Sequence, residues 1–280
     1  SLPINTPNES TYGAFEIGDA LWYLSTAGDA DQQKQEWTGQ RFTNLYKAPL
    51  ADLANPSAVA FAEDAQANGY LNGPAVVSKD GSTMYITRAN TNGKFLKRNK
   101  AGRVTLKIYR LTKTETGWST PIAMPFSSDA YNTSHPALSA DGAYLYFVSD
   151  KEGGKGSSDI YKCRILEGYN VTEMVNLGTI VNTEARETFI SIDENNILYF
   201  ASDGHVGLGG LDVFAYALND PYAVPQNLGV PINSPSDDFG FSNTVKGYGY
   251  VSSNRAAGQD KVYKAQQLTS VPVACTNSLT

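Results

Sequence analysis

The amino-acid sequence predicts an all-β fold: a five-bladed β-propeller of four-stranded antiparallel blades, with the ring closed by the N-terminal strand. Three observations predict it. A short aromatic and β-branched run recurs five times along the chain. A second strand-like motif recurs with it at intervals near 50 residues. And 280 residues carry 17 Tyr, 25 Gly and 13 Pro, a composition of short strands and tight turns.

The first strand of each unit reads Ala14-Phe15-Glu16-Ile17, Pro74-Ala75-Val76-Val77, Pro136-Ala137-Leu138-Ser139, Thr188-Phe189-Ile190-Ser191 and Asp238-Phe239-Gly240-Phe241. Asp80-Gly81 and Asp141-Gly142 join two of these runs to the next element, as hairpin turns do. The second strand is clearest at Leu145-Tyr146-Phe147-Val148-Ser149-Asp150 and Leu198-Tyr199-Phe200-Ala201-Ser202-Asp203. Its weaker copies begin at Leu21, Met84 and Gly249.

The third strand alternates polar, aliphatic, aromatic, polar, as in Asp159-Ile160-Tyr161-Lys162 and Asp212-Val213-Phe214-Ala215. Period two sends the aliphatic and aromatic side chains to opposite faces of a sheet. Both faces must then be covered, as in a blade between two neighbours. The aromatics of this strand fall at 46, 109, 161, 214 and 263, at intervals of 63, 52, 53 and 49. Four short strands fit that period, and helical repeats are shorter. Insertions near Ala27–Gly39 and Asn90–Arg103 lengthen the first two intervals.

A fourth element runs from Asn176-Leu177-Gly178 to Val181-Asn182-Thr183, and from Asn227-Leu228-Gly229 to Ile232-Asn233-Ser234. Leu2-Pro3-Ile4-Asn5-Thr6 matches only its end. The N-terminus is therefore expected to complete the last blade, with Val271-Pro272-Val273-Ala274 as the competing strand. The expected blades are residues 7–64, 65–126, 127–182, 183–233, and 234–270 with 1–6, and 271–280 begins a linker to a following domain. The Ala-rich stretch 51–67 reads either as a short helix or as a strand and a loop.

The run Ser139-Ala140-Asp141-Gly142-Ala143-Tyr144-Leu145-Tyr146-Phe147-Val148-Ser149-Asp150 resembles the WD40-like repeat PD40, also found in TolB-type propellers. Residues 204–214 (GHVGLGGLDVF) and 231–240 (PINSPSDDFG) resemble the propellers of OmpA-family envelope proteins from Bacteroidetes. The resemblance covers nearly the whole chain and is weakest before Ala60. It implies a periplasmic protein at the outer membrane, working with envelope proteins of a type IX secretion or cell-wall-tethering assembly. Peptidoglycan contact would belong to a separate OmpA-like domain that this chain does not include.

With a formal net charge of −6 and no basic stripe or run of Lys and Arg evident, neither nucleic acid nor an anionic membrane surface is expected as a partner. No run of about 18 apolar residues occurs, so no membrane insertion is expected. Cys163 and Cys275 form no CxxC pair and read as free thiols. The Gly-rich loops Asp150–Asp159 and Asp203–Asp212 read in two ways: as oxygen-rich calcium loops, or as turns in which Asp caps backbone amides. Gly153-Gly154-Lys155-Gly156 lacks P-loop spacing, and neither HExxH nor GxSxG occurs. No cofactor or metal is expected.

In a propeller, loops from the fourth strand to the next first strand share a face with those between second and third strands. That face gathers the candidate binding residues Tyr131, His135, Arg186, His205, Asp237 and Arg255. Arg and Tyr are favoured at interfaces. The expected function is a non-enzymatic interaction scaffold. The alternatives are a glycan- or peptide-binding propeller, and a hydrolase or lyase using the central channel.

Overall fold

The first, second and third motifs of every unit form strands in the computed structural model, which describes residues 2–28, 34–35, 39–59, 61, 72–92, 95–256 and 258–266, and of the fourth motif only its start is a strand. Blade 1 holds β1 (Thr11–Ile17), β2 (Ala20–Ser25), β3 (Asn44–Pro49) and β4 (Ser57–Ala58). Blade 2 holds β5 (Asn72–Val77), β6 (Thr83–Ala89), β9 (Leu106–Thr112) and β10 (Ile122–Ala123), with an extra hairpin of β7 (Thr91–Asn92) and β8 (Phe95–Leu96) between β6 and β9. Blade 3 holds β11 (Thr133–Leu138), β12 (Tyr144–Ser149), β13 (Asp159–Arg164) and β14 (Val175–Asn176). Blade 4 holds β15 (Glu187–Ile192), β16 (Ile197–Ser202), β17 (Asp212–Ala217) and β18 (Gln226–Asn227). Blade 5 holds β19 (Asp238–Asn243), β20 (Tyr248–Ala256) and β21 (Gln259–Gln266). Each sheet is an antiparallel meander, and the first strands β1, β5, β11, β15 and β19 pack around the axis.

The Asp-Gly turns behave as expected. Asp141 accepts from Ser139 Oγ at 2.6 Å and from Ala143 N at 2.9 Å. Gly142 takes φ 72°, a conformation that a Cβ would strain. In the stretch 51–67, residues 57–58 form β4, and residues 60 and 62–67 lie outside the described residues.

Five apolar clusters fill the five seams. Trp22, Leu24, Met84 and Ile86 join blades 1 and 2. Tyr85, Ile108, Phe147 and Tyr161 join blades 2 and 3. Tyr146, Ile160, Phe200 and Phe214 join blades 3 and 4. Tyr199, Val213, Phe241 and Val251 join blades 4 and 5, and Ile4, Tyr23, Tyr250 and Val262 join blades 5 and 1. Period two is visible in neighbours: Ile160 enters one seam and Tyr161 the other. Cys163 is a free buried thiol, pushed up to about 12 by burial, and Cys275 lies outside the described residues.

The N-terminus does close the ring, but not as a strand. Asn182 accepts from Ile160 N at 2.8 Å and donates to Ile160 O at 3.0 Å. Asn233 does the same with Val213, at 2.8 and 2.9 Å. Asn5 repeats the pair on Val262, at 2.9 and 2.7 Å. These asparagines follow the fourth strands β14 and β18 in sequence. The matching N-terminal segment is therefore a connector, sealed by one amide side chain, and Pro3 has no N–H to give a ladder. Blade 5 shows three strands among the described residues, and Val271–Ala274 lies outside them.

Candidate functional site

Every first strand carries a bulge, at Tyr12/Phe15, Asn72/Ala75, Ser134/Ala137, Thr188/Ser191 and Phe239/Ser242. Bulges re-aim side chains. Here they turn aromatic rings toward the axis. Phe189 touches Phe239 at 4.5 Å and His135 at 4.4 Å between centroids. Tyr12 touches Phe239 at 6.1 Å and Phe189 at 6.0 Å. Blades 1 and 4 are not neighbours in a ring of five, so the Tyr12–Phe189 contact spans the axis. These four side chains plug the channel.

Beyond the plug, toward the turns between first and second strands, lies a cavity of about 440 Å³. That volume is typical of small-molecule sites. Ala14, Ala75, Ala137, Ile190 and Phe241 give it apolar walls, and Gly18 and Val245 stand at its mouth. Two wall hydroxyls are already used between blades: Ser191 Oγ donates to Phe241 O at 2.5 Å, and Ser242 Oγ to Ala14 O at 2.6 Å.

Charge is confined to one pair. Glu16 accepts from Tyr248 Oη at 2.7 Å, Tyr250 Oη at 2.9 Å and Lys246 Nζ at 2.9 Å. Burial works to raise the Glu16 carboxyl, but these hydrogen bonds outweigh it and hold it below its usual value. Burial, then the Glu16 carboxylate, push the Tyr250 phenol far up, so it stays a donor.

The six loop-face candidates are dispersed. Tyr131 donates to Phe126 O at 2.9 Å within its own loop. Arg186 pairs with Asp203 at 2.7 Å. His205 Nε2 lies 2.8 Å from Val181 O, with the imidazole beside Phe200 and Phe214. Asp237 accepts from Leu211 N and Asn254 Nδ2, both at 2.9 Å. Arg255 pairs with the buried Asp238 and donates to Pro231 O at 3.0 Å. His135 alone of the six faces the axis, from within the plug.

The Gly-rich loops hold their aspartates by amide capping. Asp159 accepts from Gly156 N at 2.9 Å and Lys155 N, and Asp212 from Leu208 N at 2.6 Å and Gly209 N at 2.9 Å. A Cβ on Gly209 would collide with Ser236 O of the next loop, so close approach between blades explains the glycine.

Enclosure by the neighbouring rings pushes the His135 imidazole down to about 4. Folding therefore favours its neutral form, and this stability is lost as pH falls from its ordinary value of 6.5 toward 4. His135→Asn keeps a residue tolerant of the φ of 51° there. Thermal melts at pH 7 and pH 5 are expected to show a larger acid loss in wild type than in the variant. Equal losses would remove His135 from the acid response.

No family model matches the chain, and no curated protein matches it in sequence. Solved structures do match its fold. An α-L-arabinofuranosidase from Lactobacillus brevis aligns over 91% of this chain and 89% of its own, at 10% identity and TM-score 0.54. An α-L-arabinofuranosidase of Fusarium graminearum, in complex with an iminosugar inhibitor, aligns over 92% and 75%, at 9% identity and TM-score 0.51. A puromycin hydrolase complexed with PGG aligns over 95% of this chain, at 9% identity and TM-score 0.50. This chain spans about half the length of the puromycin hydrolases, 53% in that case.

At these identities the likeness shows the fold alone: this is a five-bladed β-propeller. The expectation of a non-enzymatic scaffold is nonetheless corrected, because these structures of the same fold are hydrolases. That expectation rested on missing local motifs. Residues that meet at a propeller axis come from separate blades and share no spacing that a motif would record. Glu16, Phe189 and Lys246 escaped notice as parts of a site for this reason. The one available signal was the aromatic or imidazole side chain at the bulges of β1, β11, β15 and β19.

Proposed function

We propose that this propeller binds peptides by taking one apolar side chain into its axial cavity, as the ligand-holding part of a larger peptide-processing protein. The observation that carries this reading is a blind apolar cavity, plugged by Tyr12, His135, Phe189 and Phe239 and open at the opposite face. A plugged channel takes the end of a group and threads nothing. A sugar would bring hydroxyls against walls of alanine, isoleucine and phenylalanine, and each buried hydroxyl without a partner costs about 1–3 kcal/mol. A peptide can bury a side chain there and leave its polar backbone at the Glu16–Lys246 mouth. The likeness to puromycin hydrolase, with about half of that chain covered, supports a further catalytic part. The residues resembling PD40 and OmpA-family propellers support a periplasmic setting.

The arabinofuranosidases favour a second reading, hydrolysis of a glycoside in the channel itself. Such chemistry generally uses two carboxyl groups. Glu16 is the one carboxylate among the described lining residues, and tyrosines and a lysine already occupy it. The peptide reading is the stronger.

Val245 is exposed at the cavity mouth, and Val245→Lys puts a charge where the side chain would enter. Calorimetry with end-capped peptides carrying a central Phe or Leu is expected to show about tenfold or more weaker binding to the variant. The variant should melt within a few degrees of wild type. Unchanged affinity in a folded variant would refute the cavity as the site.

A further inference from the structure

The net charge of −6 conceals a segregation along the chain. Residues 81–114 hold nine of the 22 Lys and Arg and no Asp or Glu. Several of these cations sit on the arm inserted between β6 and β9. The arm consists of the β7–β8 hairpin and a tight turn in which Asn99 N donates to Arg103 O at 2.8 Å and Gly102 N to Asn99 O at 2.9 Å. Its base is fixed to the loop before β11. Lys97 and Lys107 pair with Asp129 at 2.8 and 2.6 Å, and Asn99 Nδ2 donates to Asp129 O at 3.0 Å.

Beyond that base the arm is open to solvent. Arg98, Lys100 and Arg103 are exposed, and Phe95 is exposed by 74%. A bare aromatic ring followed within eight residues by three exposed cations has no structural task in the blade, whose aromatics lie in the seams.

We propose that this arm docks the propeller onto an anionic lipid surface, with Phe95 entering the headgroup region and Arg98, Lys100 and Arg103 facing the phosphates. Basic residues near an anionic bilayer each raise partitioning about fivefold, and an apolar side chain among them adds a short-range anchor. Single-stranded nucleic acid calls for a cationic groove with successive stacking rings. A projecting hairpin with one ring offers neither. The expectation that the chain carries no basic stripe is thus corrected at residues 81–114, and because screening limits electrostatic reach to about 10 Å, this local charge outweighs the net charge of −6.

The test is co-sedimentation of the full chain with phosphatidylcholine vesicles, with and without phosphatidylglycerol, at low and physiological salt. Binding is expected only with phosphatidylglycerol, and it weakens as salt rises. K100E/R103E, which spares the Asp129 pairs, is expected to lower partitioning at least about 25-fold, two factors of five. F95S is expected to weaken binding without changing its salt dependence. Thermal melts of each variant confirm folding. Equal binding to neutral vesicles, or undiminished binding by folded K100E/R103E, would overturn the proposal. Tighter binding to a single-stranded oligonucleotide at the same salt would overturn it in favour of nucleic acid.

Discussion

Phe147→Ala is expected to lower the free energy of unfolding by about 3–5 kcal/mol, the usual cost of emptying a buried aromatic site. Phe147 is fully buried in the seam between blades 2 and 3. Its ring stacks on Phe126 at 4.2 Å and lies 6.2 Å from Tyr161. Both partners are held by the backbone of blade 3 or the loop entering it, so the site has little freedom to collapse. Urea denaturation measures the loss. Phe95→Ala is the control, since the same ring removed from an exposed position should leave stability within about 0.5 kcal/mol. Similar midpoints for the two variants would mean that the seams do not hold the ring together.

Asn5→Ala is expected to unlatch the propeller. Val262 is buried, and the Asn5 amide satisfies both its N–H and its C=O. Each buried backbone group left without a partner costs about 1–3 kcal/mol. Asn182→Ala removes the matching amide from Ile160. The two variants should nevertheless differ in kind. Asn182 joins two blades that follow each other in sequence, whereas Asn5 ties the segment before blade 1 to Val262 of blade 5, across the closure of the ring. Hydrogen exchange should therefore rise through residues 2–10 and β21 in Asn5→Ala, and stay local in Asn182→Ala. If Asn182→Ala lowers the melting temperature and Asn5→Ala leaves it unchanged, the latch lies elsewhere.

The acid response of His135 reads the channel plug, and the lipid test reads the arm on the rim. They are independent of each other. A channel that binds peptides while the arm ignores vesicles would keep the first reading and discard the second.

Strands, turns and blade count were legible from residue order alone. Alternation in Asp159-Ile160-Tyr161-Lys162 is a local signal, and it places Ile160 and Tyr161 in different seams wherever the blade sits. Asp141-Gly142 encodes its turn through a side chain two residues from its partners. Asn5, Asn182 and Asn233 share a sequence context, so the closing segment could be recognised, though not that it acts through one amide instead of a strand. The six loop residues were legible as a face but not as a site. Their partners, such as Asp203 for Arg186 and Asp238 for Arg255, are fixed by how loops pack against one another.

What the residue order determined by itself was therefore everything that repeats: period, alternation, turn chemistry and number of blades. Only the tertiary structure decided the plug, the cavity and the Glu16–Lys246 mouth. The physical reason is that repetition builds the walls, while the axis collects one side chain from each blade. Those side chains are 50 or more residues apart in sequence, and only closure of the ring brings them together.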